Sequence, residues 1–174
     1  VSLGAASMVQ AQIVADPNAP GNQRATILNT ANGLPQVNIQ TPSAAGVSLN
    51  QYKQFDVNNK GATLNNARLN TNTQTAGMVQ GNPNLAGGAA RIIVNQVNSA
   101  NPSLLNGYVE VAGQRAQVII ANPAGISVNG GGFVNASTAT LTTGTPIING
   151  GNLEGYRVTR GQANIDGKGL DTQD

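Results

Sequence analysis

Asn82-Pro83-Asn84-Leu85 and Asn122-Pro123-Ala124-Gly125-Ile126 are the two stretches whose reading decides the fold of this 174-residue chain. Asn at the first position of a type I turn accepts a hydrogen bond from the backbone N–H two residues on. Pro at the second position presets the backbone angle that the turn needs. Both devices are local, so each turn can close before distant contacts exist. A third Asn-Pro, Asn101-Pro102, lies 19 residues after the first and 21 before the second. That recurrence, with strand-like sequence between the turns, predicts a coil wound repeatedly rather than a single layered sheet.

Composition agrees. Only 9% of residues are charged and 3% aromatic, whereas the chain holds 24 Asn and 22 Gly. With five aromatic residues (Tyr52, Phe55, Tyr108, Phe133 and Tyr156), the core must be built from Val, Ile, Leu and Ala. Asn tolerates tight turns and stacks in hydrogen-bonded ladders when strands lie in register. Helical periodicity is absent nearly everywhere, and short β-branched runs alternate with turn residues. Candidate strands include residues 25–28, 35–39, 46–49, 54–57, 62–64, 90–97, 108–111, 116–121, 126–128, 133–134, 139–142, 156–159 and 163–165. At roughly 20 residues per coil the body holds at most about eight coils. Residues 125–129 alternate as a strand with one face inward, and Gly130-Gly131-Gly132 reads as a sharp corner before Phe133. Four Asn-Gly pairs, at 32–33, 106–107, 129–130 and 149–150, are candidate hairpin turns. Antiparallel pieces are expected beside the coil, foremost at residues 104–111 and 147–153.

The chain lacks the parts of most enzymes. It has no His and no Cys, which excludes Ser-His and Cys-His nucleophiles, thiolate metal sites and disulfides. Asp16, Asp56, Glu110, Glu154, Asp166, Asp171 and Asp174 never fall adjacent or two apart, unlike the clustered acids of polysaccharide-cleaving β-helices. Residues 161–169 lack the spacing and the Ser/Thr of a phosphate loop. Lys168 stands where a calcium loop beginning at Asn164 needs a ligand. No catalysis, metal or cofactor is expected. The net charge of +2 comes from scattered groups without a basic cluster, so no nucleic-acid partner is expected. No run of 18 apolar residues exists, and no stable membrane insertion is expected. Residues 1–11 read either as the remnant of a secretory signal peptide ending Val9-Gln10-Ala11 or as an N-terminal strand. Residues 12–174 read as one domain.

The two Asn-Pro motifs, Arg91 to Val97, Leu105 to Gly113, Gly132 to Asn135 and Ala139 to Gly144 together resemble the two-partner secretion (type V) domain. That domain begins filamentous-haemagglutinin-like exoproteins, among them adhesins, haemolysins and contact-dependent growth inhibition toxins. The likeness runs from Gln12 to Leu170. It implies an all-β fold, a right-handed parallel β-helix with an N-terminal cap and extra-helical antiparallel strands. It also implies a secretion signal and folding nucleus that directs export of a large exoprotein. The route leads through the periplasm of a Gram-negative bacterium and an outer-membrane TpsB-type β-barrel with POTRA domains, to the cell surface or outside. Asn82, Pro83, Asn84, Leu85, Asn122, Pro123, Ala124, Gly125 and Ile126 are then the partner-recognition or turn-forming residues. The domain is expected to be a monomer, and the alternative reading is an adhesive module that binds a host receptor or glycan. Ala124 departs from the family's usual Asn. Val128 and Gly131 stand where many relatives carry Cys-x-x-Cys.

Overall fold

The computed structural model describes residues 12–30, 32–158 and 161–173. The candidate signal remnant at residues 1–11 and Thr159 of the strand expected at 156–159 lie outside them. Two short strands, β1 (Ile13–Ala15) and β2 (Thr26–Asn29), precede the coiled body. The body begins with β3 (Pro35–Asn38), β4 (Val47–Phe55) and β5 (Ala62–Asn66). An excursion carrying β6 (Thr71–Asn72) and β7 (Met78–Val79) leads to β8 (Ile92–Val97). Then follow β9 (Ser103–Leu105), β10 (Tyr108–Gly113), β11 (Ala116–Ala121), β12 (Ile126–Val134) and β13 (Ala136–Thr142). A hairpin of β14 (Thr145–Asn149) and β15 (Asn152–Arg157) precedes β16 (Ala163–Gln173).

The chain alternates between two sheets, ordered β1-β4-β8-β11-β13 and β16-β12-β10-β5-β3-β2, with β9 joined to β12. Pairing within the coils is parallel. Strands β1 and β2 pair antiparallel with β4 and β3 and cap the first coil. This is a parallel β-helix with an N-terminal cap and antiparallel extra-helical strands.

Coil length follows from register. Gln117 pairs with Ile92 and Thr138 with Gln117, steps of 25 and 21 residues. The step from Val47 to Ile92 is 45, because the excursion lies within it. Such insertions leave, among the described residues, four coil strands in one sheet and six in the other, where β9 and β10 share one side of β12, below the ceiling of about eight coils that a 20-residue repeat allows.

Inward-facing residues stack in columns. Val37, Leu64 and Val111 pair in sequence across the second sheet, all at most 1% exposed. Tyr52 and Phe55 fill the capped end, their rings 5.0 Å apart and edge to face. The sheets are also covered outside. Ile148, Leu153 and Tyr156 of the β14–β15 hairpin pack on Val47, Val94 and Ile119. Coverage on both faces is what parallel sheets require.

The structure corrects several local expectations. Only two of the four Asn-Gly pairs lie at hairpins, between β2 and β3 and between β14 and β15. At Asn106-Gly107 the chain continues from β9 to β10, and both strands pair parallel with β12. The region at 104–111 is therefore no antiparallel piece. Gly107 serves close approach there, since a Cβ on it would sit 2.0 Å from Asn58 O. Asn129-Gly130 and the triple glycine lie inside the nine-residue β12, not at a corner. The register shifts between Asn129 and Gly131, where β16 runs from Asp166 to Leu170 and carries the extra residues of the bulge. The strands expected at 46–49 and 54–57 are joined as β4. The three Asn-Pro turns do not form one column either. Asn101 and Asn122 occupy the same corner of successive coils, whereas Asn82 belongs to the excursion at another corner.

Buried Asn side chains tie coil to coil. Tyr52 donates its hydroxyl proton to Asn95 Oδ1 (2.8 Å), and Asn95 Nδ2 donates to Ile119 O (3.1 Å). Asn95→Leu leaves two buried groups unpaired and is expected to cost about 2–4 kcal/mol. Adding Tyr52→Phe should recover part of that loss, so a double-mutant cycle in urea should be clearly non-additive. Burial pushes the Tyr52 hydroxyl far above the ordinary phenol range. The unfolded chain ionises it near pH 10, so stability present below that pH is lost as pH rises through it. Urea midpoints at about pH 9 and about pH 11 should differ less in Tyr52→Phe than in the wild type.

Candidate functional site: two asparagine-proline clamps

The first turn forms as its residues dictate. Asn82, extended at φ −80° and ψ 117°, caps a single 3-10 turn, Pro83–Leu85, and its Oδ1 accepts from Asn84 N (3.0 Å). Leu85 N donates to Asn82 O (3.1 Å), closing the turn, and the Leu85 side chain is driven into the core. The second turn repeats the device: Asn122 Oδ1 accepts from Ala124 N (2.9 Å) and Asn122 O from Gly125 N (3.0 Å). Both predicted Asn side-chain bonds are present.

Tertiary structure adds a second function to each Asn. Asn82 Nδ2 donates to Ile39 O and to Asn65 O, both at 2.9 Å, and Asn82 N donates to Ala67 O (2.7 Å). The turn thus clamps the loop after β3 onto β5. Asn84 Nδ2 also reaches Ile39 O (3.1 Å), and Thr41 Oγ1 donates to Asn84 O (2.8 Å). Asn122 Nδ2 donates to Asn101 O (2.8 Å) and Ser103 Oγ (3.0 Å) in the preceding coil. Asn122 N donates forward to Thr142 O (2.9 Å), so three coils meet at this corner.

Each clamp combines a buried and an accessible part. Asn82 is 2% and Asn122 0% exposed, and Leu85, Gly125 and Ile126 are buried as well. Pro83 is exposed, and Asn84, Pro123 and Ala124 are half-buried. An open cleft of about 480 Å³ lies against the first turn, lined by Arg68, Leu69, Pro83 and Ala86. One of about 400 Å³ lies against the second, lined by Pro102, Ala124, Gly125 and Gln162. The two turns sit at separate corners and, among the described residues, share no hydrogen-bonded partner.

Arg68 escaped the motif reading: it fixes the far side of the first turn by donating to Leu85 O (3.2 Å) and Ala86 O (3.0 Å). Asn66 escaped it too, although its Nδ2 bonds Ala90 O and Gln114 O, both at 2.9 Å, across two coils. Neither carries a local signal, since a buried Asn that bridges coils is spelled like any loop Asn. Among the described residues no three acids converge as a metal would require.

The TPS secretion domain family model matches residues 11–174. Toxin CdiA of Yersinia pestis is 60% identical over 174 residues, covering 99% of this chain and 5% of that protein. The tRNA nuclease CdiA-2 of Burkholderia pseudomallei is 51% identical, covering 98% of this chain and 6% of that protein. A crystal structure of the filamentous hemagglutinin secretion domain superimposes with a TM-score of 0.80 at 38% identity. It covers 93% of this chain and 52% of that one. The chain spans about one twentieth of the length of these curated relatives.

Gly125 and Ala124 should respond differently to substitution. Gly125 has φ +121°, and a Cβ there would lie 3.2 Å from Gln162 O. Gly125→Val is expected to cost about 2–4 kcal/mol from backbone strain and crowding. Ala124→Asn places a side chain where Asn84 stands in the first clamp and should change stability by less than about 0.5 kcal/mol. Denaturant melts of the two purified variants check this ranking, and equal losses would overturn it.

Proposed function

We propose that this chain, which belongs to the TPS secretion domain family, directs export of a much larger exoprotein and nucleates its folding. The partner in this reading is an outer-membrane TpsB-type transporter that engages the domain through periplasmic POTRA domains. The exoprotein passes the periplasm of a Gram-negative bacterium and ends at the cell surface or outside. Residues 12–174 form the signal, as a monomer, with no nucleic acid, cofactor or stable membrane insertion involved. The nuclease and toxin names belong to whole relatives, so any such activity resides outside this domain, which itself catalyses nothing.

The observation that carries this reading is the direction of the clamps. The side-chain amide of Asn82 donates only to Ile39 and Asn65, and that of Asn122 only to Asn101 and Ser103. All four acceptors precede their donor in the chain. In a polypeptide that emerges N-terminus first, the first clamp needs nothing beyond Leu85 to close. Its three side-chain bonds, at about 1 kcal/mol each, are a large share of the 5–15 kcal/mol that holds a domain together. Closure therefore fixes the first coils while the rest of the chain is still in transit. Because Asn82 and Asn122 are buried, a partner that meets the folded domain touches Pro83, Asn84, Pro123 and Ala124 instead. The adhesive alternative gains no support, since Tyr52, Phe55 and Phe133 are buried and Tyr108 and Tyr156 half-buried, with no aromatic residue fully exposed.

A reporter fused behind the chain and co-expressed with its transporter tests the proposal. Asn82→Ala should lower export by at least about tenfold and destabilise the purified domain by about 2–4 kcal/mol. Val128→Ala, a cavity in a later coil costing about 2 kcal/mol, should lower export much less. Transporter-independent export, or export that tracks stability alone in both variants, would sink the folding-nucleus role.

A further inference from the structure

The excursion between β5 and β8 covers the outer face of the second sheet in an unusual way. Gln36, Thr63 and Glu110 stand in one row across β3, β5 and β10, alternating with the inward column of Val37, Leu64 and Val111. All three are buried, Glu110 to 4% exposure. Three hydrogen bonds reach the Glu110 carboxylate from the excursion: Gln74 N (2.7 Å), Thr75 N (2.9 Å) and Thr75 Oγ1 (2.6 Å). Beside it, Asn65 Nδ2 donates to Gln80 O (2.9 Å). The cover over the first sheet is instead apolar, Ile148, Leu153 and Tyr156 on Val47, Val94 and Ile119.

We propose that the β6–β7 hairpin, from Thr71 to Val79, is a strap that opens and closes as a unit on the folded β-helix, with Glu110 as its latch. Apart from the side chain of Val79, which is 3% exposed, opening uncovers groups that water can satisfy. Among them is the Thr63 hydroxyl, which is buried beside Glu110 and has no hydrogen-bond partner while the strap is closed. Removing the apolar hairpin would instead expose a hydrophobic face, for which water offers no compensation. The strap keeps its own shape when released. Thr73 N and Oγ1 both donate to Gly77 O, at 2.8 and 2.7 Å, and Ala76 N donates to Thr73 Oγ1 (2.9 Å). Its base is pinned by Gly81 N donating to Asn70 Oδ1 (2.9 Å) and Asn82 N to Ala67 O (2.7 Å), so the tip swings without disturbing the first clamp. The latch follows the strap by 35 residues in the chain, so the strap docks only after β10 is laid down.

Hydrogen exchange read by mass spectrometry on the purified chain tests this. In the wild type, amides of residues 71–79 should exchange at least about tenfold faster than those of β8 and β11. Glu110→Gln, which turns an acceptor oxygen into a donor facing N–H groups, should speed strap exchange by a further tenfold or so and leave β8 and β11 unchanged. Thr63→Val, which removes the unpartnered hydroxyl from the covered face, should slow strap exchange. Common exchange of strap and core in the wild type would overturn the proposal. So would a Glu110→Gln effect spread evenly over the chain, or none on the strap. Should Glu110→Gln fail to fold, the wild-type comparison and Thr63→Val decide alone.

Discussion

The structure depends on satisfying backbone polar groups at the corners of a coil. Along the flat sides, parallel ladders pair N–H and C=O groups between successive coils. At a corner the ladder stops, and any group left there without water or a partner costs free energy. This chain answers with Asn, whose short amide carries both donors and an acceptor. Asn66 donates to Ala90 O and Gln114 O, and Asn135 to Val111 O and Gly113 O, whereas Asn50 and Asn95, inside β4 and β8, donate along the ladder to Val94 O and Ile119 O. The Asn-Pro clamps belong to the same set, with proline added to preset their turns. High Asn content and low charge therefore share a cause, since the corners are buried and neutral amides serve them without the desolvation cost of ions.

Two excursions complete the outside of the coil, and their chemistry separates their roles. The C-terminal hairpin adds apolar surface and merges with the small cluster around Val94 and Ile119. The earlier excursion adds polar contacts, with Glu110 and Asn65 reaching out from the sheet to its backbone. Hydrophobic cover contributes stability without direction, whereas a hydrogen-bonded cover is specific and competes with water. The first clamp lies within the polar excursion, so the segment that fastens the first coils sits next to the cover least bound by apolar contact.

Direction along the chain is what ties this architecture to the proposed export. Most coil-to-coil bonds could form in any order, and several Asn side chains, such as Asn50 and Asn95, await residues well ahead of them. The side-chain amides of the two Asn-Pro turns donate only backward. A β-helix suits this, because each coil needs only its predecessor as a template, much as repeats in a solenoid contact only their neighbours.

The sequence by itself determined the class of fold and the local form of both turns. Period-two runs between turn residues and the Asn-Pro dipeptides are short-range signals, and both turns form where they were read. It also determined strand β11 to the residue, because its apolar run is bounded on both sides by turn chemistry. Tertiary structure alone decided what lies beside what. Asn106-Gly107 and Asn129-Gly130 are spelled like hairpin turns, yet close approach to Asn58 and pairing with β16 hold them inside the coil. The 19-residue step from Asn82 to Asn101 looks like a repeat, yet the excursion carries Asn82 to another corner. Nothing local in Glu110 foretells a buried carboxylate that binds a loop 35 residues earlier. Turn chemistry acts over two or three residues and is written in the chain. Register, close approach and burial arise only when segments tens of residues apart are stacked, and the sum of those contacts, not any one residue, sets them.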